Sequence, residues 1–173
     1  DGSGDLALNV AQTGDVQISI DASDPDNPVL TATKAPPYTV DIFVRGFNGD
    51  WADSAANELA FVGNDSYQTE LALTDPNAAG ALSFKVASSD WATVDCGSNG
   101  NNVDLGVAYA LNCAGGGDMT LNDSGAGQYS FHVDGTDPAN PVLTVEKTPY
   151  AARIFVRGLS QDWSEANPLR ERV

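Results

Sequence analysis

The chain has 173 residues and a formal net charge of −16, from 8 Lys and Arg against 24 Asp and Glu. That balance repels nucleic acid and anionic lipid. No run approaches the ~18 consecutive apolar residues of a membrane span, and no secretory leader is evident, as in a mature or excised segment. The 42% apolar fraction suffices to close a core, in a length that suits one ordinary domain with something added.

The acids are lopsided in kind: nineteen are Asp and five are Glu, beside 17 Gly and 9 Pro. Asp hydrogen-bonds its own backbone and suits turns, whereas Glu prefers helices. Short β-branched runs separated by Asp, Asn, Gly and Pro therefore predict an all-β chain with many loops. The acidic excess also fits a secreted protein of a saline habitat.

In chain order, Val16, Ile18 and Ile20 alternate with polar residues, and the turn Asp24-Pro-Asp-Asn-Pro leads to Leu30; these apolar positions are patterned for burial. Val40–Arg45 is an alternating run ending at Gly46, before the turn signal Asn48-Gly49-Asp50. Glu58–Val62 and Tyr67–Leu73 flank Gly63-Asn64-Asp65, a hairpin connection. Leu82–Ala87 follows the turn Asp75-Pro76-Asn77; Phe84 and Val86 point inward, and Lys85 outward. Tyr109–Asn112, Met119–Leu121, Gln128–Val133 and Val142–Lys147 complete about eight strands, with Tyr129, Phe131 and Val133 inward and His132 outward. The expected fold is an immunoglobulin-like antiparallel β-sandwich.

The sequence repeats itself. Asp24-Pro-Asp-Asn-Pro-Val-Leu30 returns as Asp137-Pro-Ala-Asn-Pro-Val-Leu143, and Ile42-Phe-Val-Arg-Gly46 as Ile154-Phe-Val-Arg-Gly158. Val16, Ile18 and Ile20 match Tyr129, Phe131 and Val133, while Asp50-Trp51 matches Asp162-Trp163. The period, about 112 residues, suits a sandwich module rather than a solenoid. Its register divides the chain into residues 1–37, the C-terminal part of a preceding repeat; 38–149, a complete module; and 150–173, the N-terminal part of a following repeat. Two or three strands cannot close a core alone. The flanks are thus expected to pair with each other, to pack on the module, or to exchange strands with another molecule as a homodimer; frayed linkers are the alternative.

Cys96 and Cys113 flank a Gly/Asn-rich loop. In an oxidising compartment a disulfide there would contribute about 3 kcal/mol, the alternative being two buried thiols. Catalysis is poorly supplied: the single His132 sits on an outward strand position, and the Asp residues sit in turns that explain them, so no acid/base pair stands out. Asp24, Asp26 and Asn27, or Asp50 and Asp53, offer oxygens to Ca²⁺ without EF-hand spacing. No other cofactor is indicated. Trp51, Trp91 and Trp163 all lie in polar loops, where a core does not ordinarily recruit Trp. An exposed indole covers the apolar face of a sugar ring while neighbouring Lys, Asn or Asp bond its hydroxyl rim; the alternative is an indole folded back to plug the sandwich end.

Ile42-Phe-Val-Arg-Gly-Phe-Asn-Gly-Asp-Trp51, followed by Leu82-Ser-Phe-Lys-Val-Ala-Ser-Ser-Asp-Trp91, resembles the starch- and glycogen-binding β-sandwich modules. These are appended to bacterial pullulanases and marine α-amylases, and occur in the β subunit of the AMP-activated kinase. The resemblance covers residues 38–149. Asp50 precedes Trp51 where the simplest family pattern has Asn-Gly-Trp, and the Asp95–Ala114 excursion is an addition to that pattern. What the resemblance implies is a glucan site made by Trp51, Trp91 and Lys85, with Asn122 a looser fit and Trp163 its echo in the partial copy. The function it implies is that of a non-catalytic module bringing a secreted bacterial amylolytic enzyme to α-1,4-glucan, beside a catalytic domain or neighbouring modules. A structural spacer or adhesin repeat, stabilised by Ca²⁺, is the alternative.

Overall fold

Period-two alternation builds two facing antiparallel sheets. A computed structural model of the chain describes residues 15–123 and 125–148, numbered here β1 to β11 in chain order. Residues 150–173, with Trp163 and the expected following repeat, lie outside them.

The five-stranded sheet has the order β4-β5-β10-β11-β8, formed by Ala60–Gly63, Ser66–Leu73, Gly127–Asp134, Val142–Lys147 and Tyr109–Ala110. The opposing sheet is β3-β6-β7, from Ile42–Arg45, Ser83–Ser88 and Asp95–Cys96, with β9 (Met119–Thr120) also paired to β6. The pairings among these strands are antiparallel, and the all-β sandwich expected from the sequence is the observed architecture. The β4–β5 hairpin turns on Asn64 and Asp65, at φ 50° and 61°. Two successive left-handed residues match the right-handed twist of a hairpin, and Asn and Asp tolerate that region best.

Inward-facing Tyr129, Phe131, Val133, Leu143 and Val145 from one sheet meet Ile42, Val44, Phe84 and Val86 from the other, all at 1% exposure or less. Phe47, in a single 3-10 turn (Phe47–Gly49) after β3, inserts between them. Its ring lies 4.9 Å from Phe131 and 5.5 Å from Tyr129, edge to face in both cases. Such geometry is favoured by the aromatic quadrupole.

Cys96 and Cys113 are joined by a disulfide. It ties β7 to the residues after β8 and closes the Gly/Asn-rich excursion, where Tyr109 Oη donates to the Asn101 carbonyl at 2.8 Å and accepts from the Asn99 amide at 3.0 Å. His132 lies on the outer face of the five-stranded sheet, paired across to Gln68 and Thr144.

One expectation needs correction. β1 (Val16–Asp21) and β2 (Val29–Lys34) form a separate two-stranded sheet, and the apolar residues patterned for burial are largely exposed there: Ile18 by 59%, Ile20 by 67% and Leu30 by 44%. The alternation defined a face correctly, but among the described residues no second sheet covers it. The hairpin is tied to the sandwich by an ion pair between Lys34 and Asp65, whose carboxylate is buried in the β4–β5 turn.

Candidate functional site

The outer face of the smaller sheet should be polar and wet, yet Phe43, Arg45, Lys85 and Ala87 are all at 9% exposure or below. Arg45 and Lys85 are cross-strand partners on β3 and β6. Two loops cover them, each carrying a tryptophan.

The first loop follows the Phe47–Gly49 turn. The Gly46 amide donates to the Asp50 carbonyl at 2.6 Å, and the Asp50 carboxylate caps the Ala52 amide at 3.0 Å. Buried Asn57 holds the far side, donating to the Ala52 carbonyl at 2.6 Å and accepting from the Ser54 amide at 3.0 Å. The second loop closes on Ser88: its amide donates to the Val94 carbonyl at 2.9 Å, and its hydroxyl accepts from the Val94 amide at 3.0 Å. Between them the Asp90 carboxylate accepts from the Ala92 and Thr93 amides and the Thr93 hydroxyl. Hydrogen bonds, first that from the Ser88 hydroxyl, hold its carboxyl well below the usual carboxylate range. Asp90 is thus ionised throughout ordinary pH, and its turn forces Trp91 into the left-handed region at φ 55°, a conformation costly for a bulky residue.

Arg45 joins the two loops. Its Nε and Nη2 donate to the Trp51 carbonyl at 2.9 and 2.7 Å, and Nη1 donates to the carbonyls of Ser88 and Ser89 at 3.1 and 3.2 Å. The guanidinium carbon sits 4.0 Å from the centroid of the Trp91 ring. A guanidinium on an indole face is a cation–π contact worth about 0.5–2 kcal/mol, more as water is excluded. Across the two loops, the Ser89 side chain is the largest influence lowering the pKa of Asp53.

The result is a pair of indoles side by side, centroids 6.2 Å apart and planes inclined by 34°. Trp51 is 38% exposed and Trp91 36%, so each offers part of its ring to water while the rest rests on the sheet. Neither plugs the sandwich. Lys85 lies beneath the platform, its ammonium 6.0 Å from the Trp91 centroid and ion-paired with Asp95. Asn122 is placed apart from this cluster, donating to the Asp104 carboxylate at 2.7 Å beyond the start of β6. Arg45 was missed by sequence reasoning; its only signal was the recurrence of Phe-Val-Arg-Gly in both copies.

Gly46 sets how closely Trp51 can lie on the sheet. A Cβ there would fall 2.6 Å from Trp51 Cζ2 and Cη2 and 2.8 Å from the Ser83 carbonyl oxygen, at a φ of 102°. Gly46→Ala is therefore expected to displace the indole and to destabilise the module by roughly 1–3 kcal/mol. Chemical denaturation and a changed Trp emission would register both effects.

Asp24 and its counterpart Asp137 use their carboxylates as turn caps, Asp24 for the Asp26 amide and Asn27 side chain, Asp137 for the Ala139 amide and Asn140 side chain. Among the described residues no group of three or more His, Cys, Asp or Glu is arranged to hold a metal ion.

Fold and site together define a β-sandwich with an aromatic platform on the outer face of one sheet. No family model matches the sequence, and no curated protein matches it. Among solved structures, the chain is similar to one described as the ligand-induced structure of AmyP-SBD, an amylase starch-binding domain. The TM-score is 0.50 at 21% identity, over 86% of this chain and 99% of that one. The likeness is one of fold.

Proposed function

We propose that the chain is a non-catalytic carbohydrate-binding module that takes a starch-like α-1,4-glucan on Trp51 and Trp91. The observation that carries this reading is the fixed, inclined pair of half-open indoles. A β-1,4-glucan is flat and would ask for coplanar rings, whereas an α-1,4-glucan curves, so successive glucose units can each lie on one of two planes inclined by 34°. The rim is polar, with Asp53 an ionised acceptor for sugar hydroxyls. Lys85, paired with Asp95 under the indoles, orients the platform and reaches sugar only at its margin. The net charge disfavours anionic polymers and leaves a neutral polysaccharide unopposed. The fold shared with a starch-binding domain supports the same reading. His132, on the opposite outer face, has no part in it.

Each aromatic–sugar contact adds about 1 kcal/mol beyond the area it buries, so one platform binds weakly. Its use is to hold a secreted amylolytic enzyme on insoluble substrate, in a compartment oxidising enough for the Cys96–Cys113 bond. Affinity electrophoresis in soluble starch should retard the chain, and the double variant Trp51→Ala, Trp91→Ala should run as it does without starch. Equal retardation of the double variant, or none of the parent, would refute the assignment.

The alternative role as a spacer repeat draws on the Lys34–Asp65 clasp between hairpin and module. It would show as a Ca²⁺-dependent rise in melting temperature with no response to glucan.

A further inference from the structure

The β1–β2 hairpin copies the β10–β11 hairpin in register as well as in sequence. Ile18 pairs with Ala32 as Phe131 pairs with Val145; Ile20 pairs with Leu30 as Val133 pairs with Leu143; Val16 pairs with Lys34 as Tyr129 pairs with Lys147. One member of this duplicated pair has its apolar face fully covered. Phe131, Val133, Leu143 and Val145 are at 0% exposure beneath β3, Phe47 and β6. The other leaves Ile18 and Ile20 more than half exposed. The element that fits such a face is therefore of the β3 kind, Ile42-Phe-Val-Arg-Gly-Phe47.

This chain carries one further stretch of that kind, Ile154-Phe-Val-Arg-Gly-Leu159, in which Ile154, Val156 and Leu159 stand where Ile42, Val44 and Phe47 stand. Geometry decides whether it can reach the hairpin of its own molecule. The hairpin joins the module at the Asp134 end of β10, where Lys34 meets Asp65 and the Gly135 amide donates to the Asp65 carbonyl at 2.8 Å. The chain leaves the module at the opposite end of β10, where the Thr148 amide donates to the Gln128 carbonyl at 2.9 Å. The eight residues of β10 span about 24 Å, and in the hairpin's register Ile18 and Leu30 follow the Val16–Lys34 pair at which it is tied. The six residues from Thr148 to Ile154 reach at most about 20 Å when fully extended. The same molecule's segment falls short.

We infer that the apolar face of the β1–β2 hairpin is a docking surface for residues 154–159 of a second copy of this chain, so that copies join head to tail. Such an interface is heterologous: the two surfaces differ, and each molecule keeps one of each. The junction would bring Arg157 and Trp163 to the hairpin in the places of Arg45 and Trp51, without counterparts of Lys85 and Trp91, and so adds a contact rather than a second complete platform.

Sedimentation velocity on the full chain tests this. Mass should rise with concentration above that of a monomer. Ile18→Asp with Ile20→Asp should abolish the association, and so should Ile154→Asp with Val156→Asp. Because Ile18 and Ile20 are exposed, the first pair leaves the sandwich intact, as an unchanged melting transition would show. Mixing the two variants is the decisive step: each retains one working surface, so the mixture should form dimers and stop there. A parent chain monomeric at every concentration would overturn the proposal. So would self-association unaffected by the hairpin variant, or a mixture that stays monomeric.

Discussion

Arg45→Leu is expected to weaken glucan binding by tenfold or more, about 1.4 kcal/mol, although Arg45 lies beneath the indoles. The guanidinium supplies every hydrogen bond that ties the Trp51 carbonyl to those of Ser88 and Ser89. Leucine matches its bulk on the sheet but leaves the Trp51 and Ser89 carbonyls without their donor, while that of Ser88 keeps only the Trp91 amide at 3.2 Å. The cost of unpaired buried acceptors, about 1–3 kcal/mol each where water cannot enter, also predicts a stability loss of roughly 2–4 kcal/mol overall, seen as a lower denaturation midpoint. Arg45→Lys should recover only part of the loss, because an ammonium cannot present the planar fork that serves two loops at once, nor stack on Trp91 in the same way. Titration with maltoheptaose followed by Trp fluorescence, beside urea denaturation, separates the two effects. Parent affinity in Arg45→Leu would mean that the platform is held by other contacts.

Replacing Cys96 and Cys113 by Ser should lower stability on a similar scale. The bond closes a loop with a sequence separation of 17, for which chain entropy gives about 3 kcal/mol. The excursion it closes is rich in Gly and Asn and offers little apolar surface of its own, although Val103, Tyr109 and Leu111 from it are buried in the shared core. Opening it should therefore loosen the β7 and β8 edges together. Because β7 pairs with β6 through Val86 and Ala87, next to the Ser88 that closes the Trp91 loop, glucan binding should fall as well. Thermal denaturation with and without reductant would measure the first effect, and electrophoresis in starch the second. A reduced protein with unchanged melting and binding would contradict both.

Much of this architecture was legible in the sequence because it rests on local patterns. Tyr129/Phe131/Val133 and Phe84/Val86 alternate cleanly, and Asn64-Asp65 is a turn whose backbone few other residue pairs adopt so readily. β7 was missed for the same reason: two residues in a Gly/Asn-rich loop show no alternation. Trp51 and Trp91 were singled out by their polar loops and Lys85 by the resemblance, and the structure places the three side by side; Asn122 is held elsewhere by Asp104. Arg45 escaped notice because a charge on the polar phase of a strand reads as solvated. Its burial depends on two loops arriving from distant parts of the chain, and no local pattern records that. The exposed Ile18 and Ile20 teach the converse, since a pattern names the face to be covered but not the molecule that covers it.

The double burial of β6 bears on how such a module can change its preferences over time. Its inner face belongs to the core and its outer face, with that of β3, to the floor beneath the tryptophans, so substitutions at Arg45 or Lys85 should alter the platform and foldedness in one stroke. Ala52 and Ala92, exposed on the two tryptophan loops, lie outside this coupling. On the proposed reading, diversification toward other sugars should therefore be most readily tolerated at those two places.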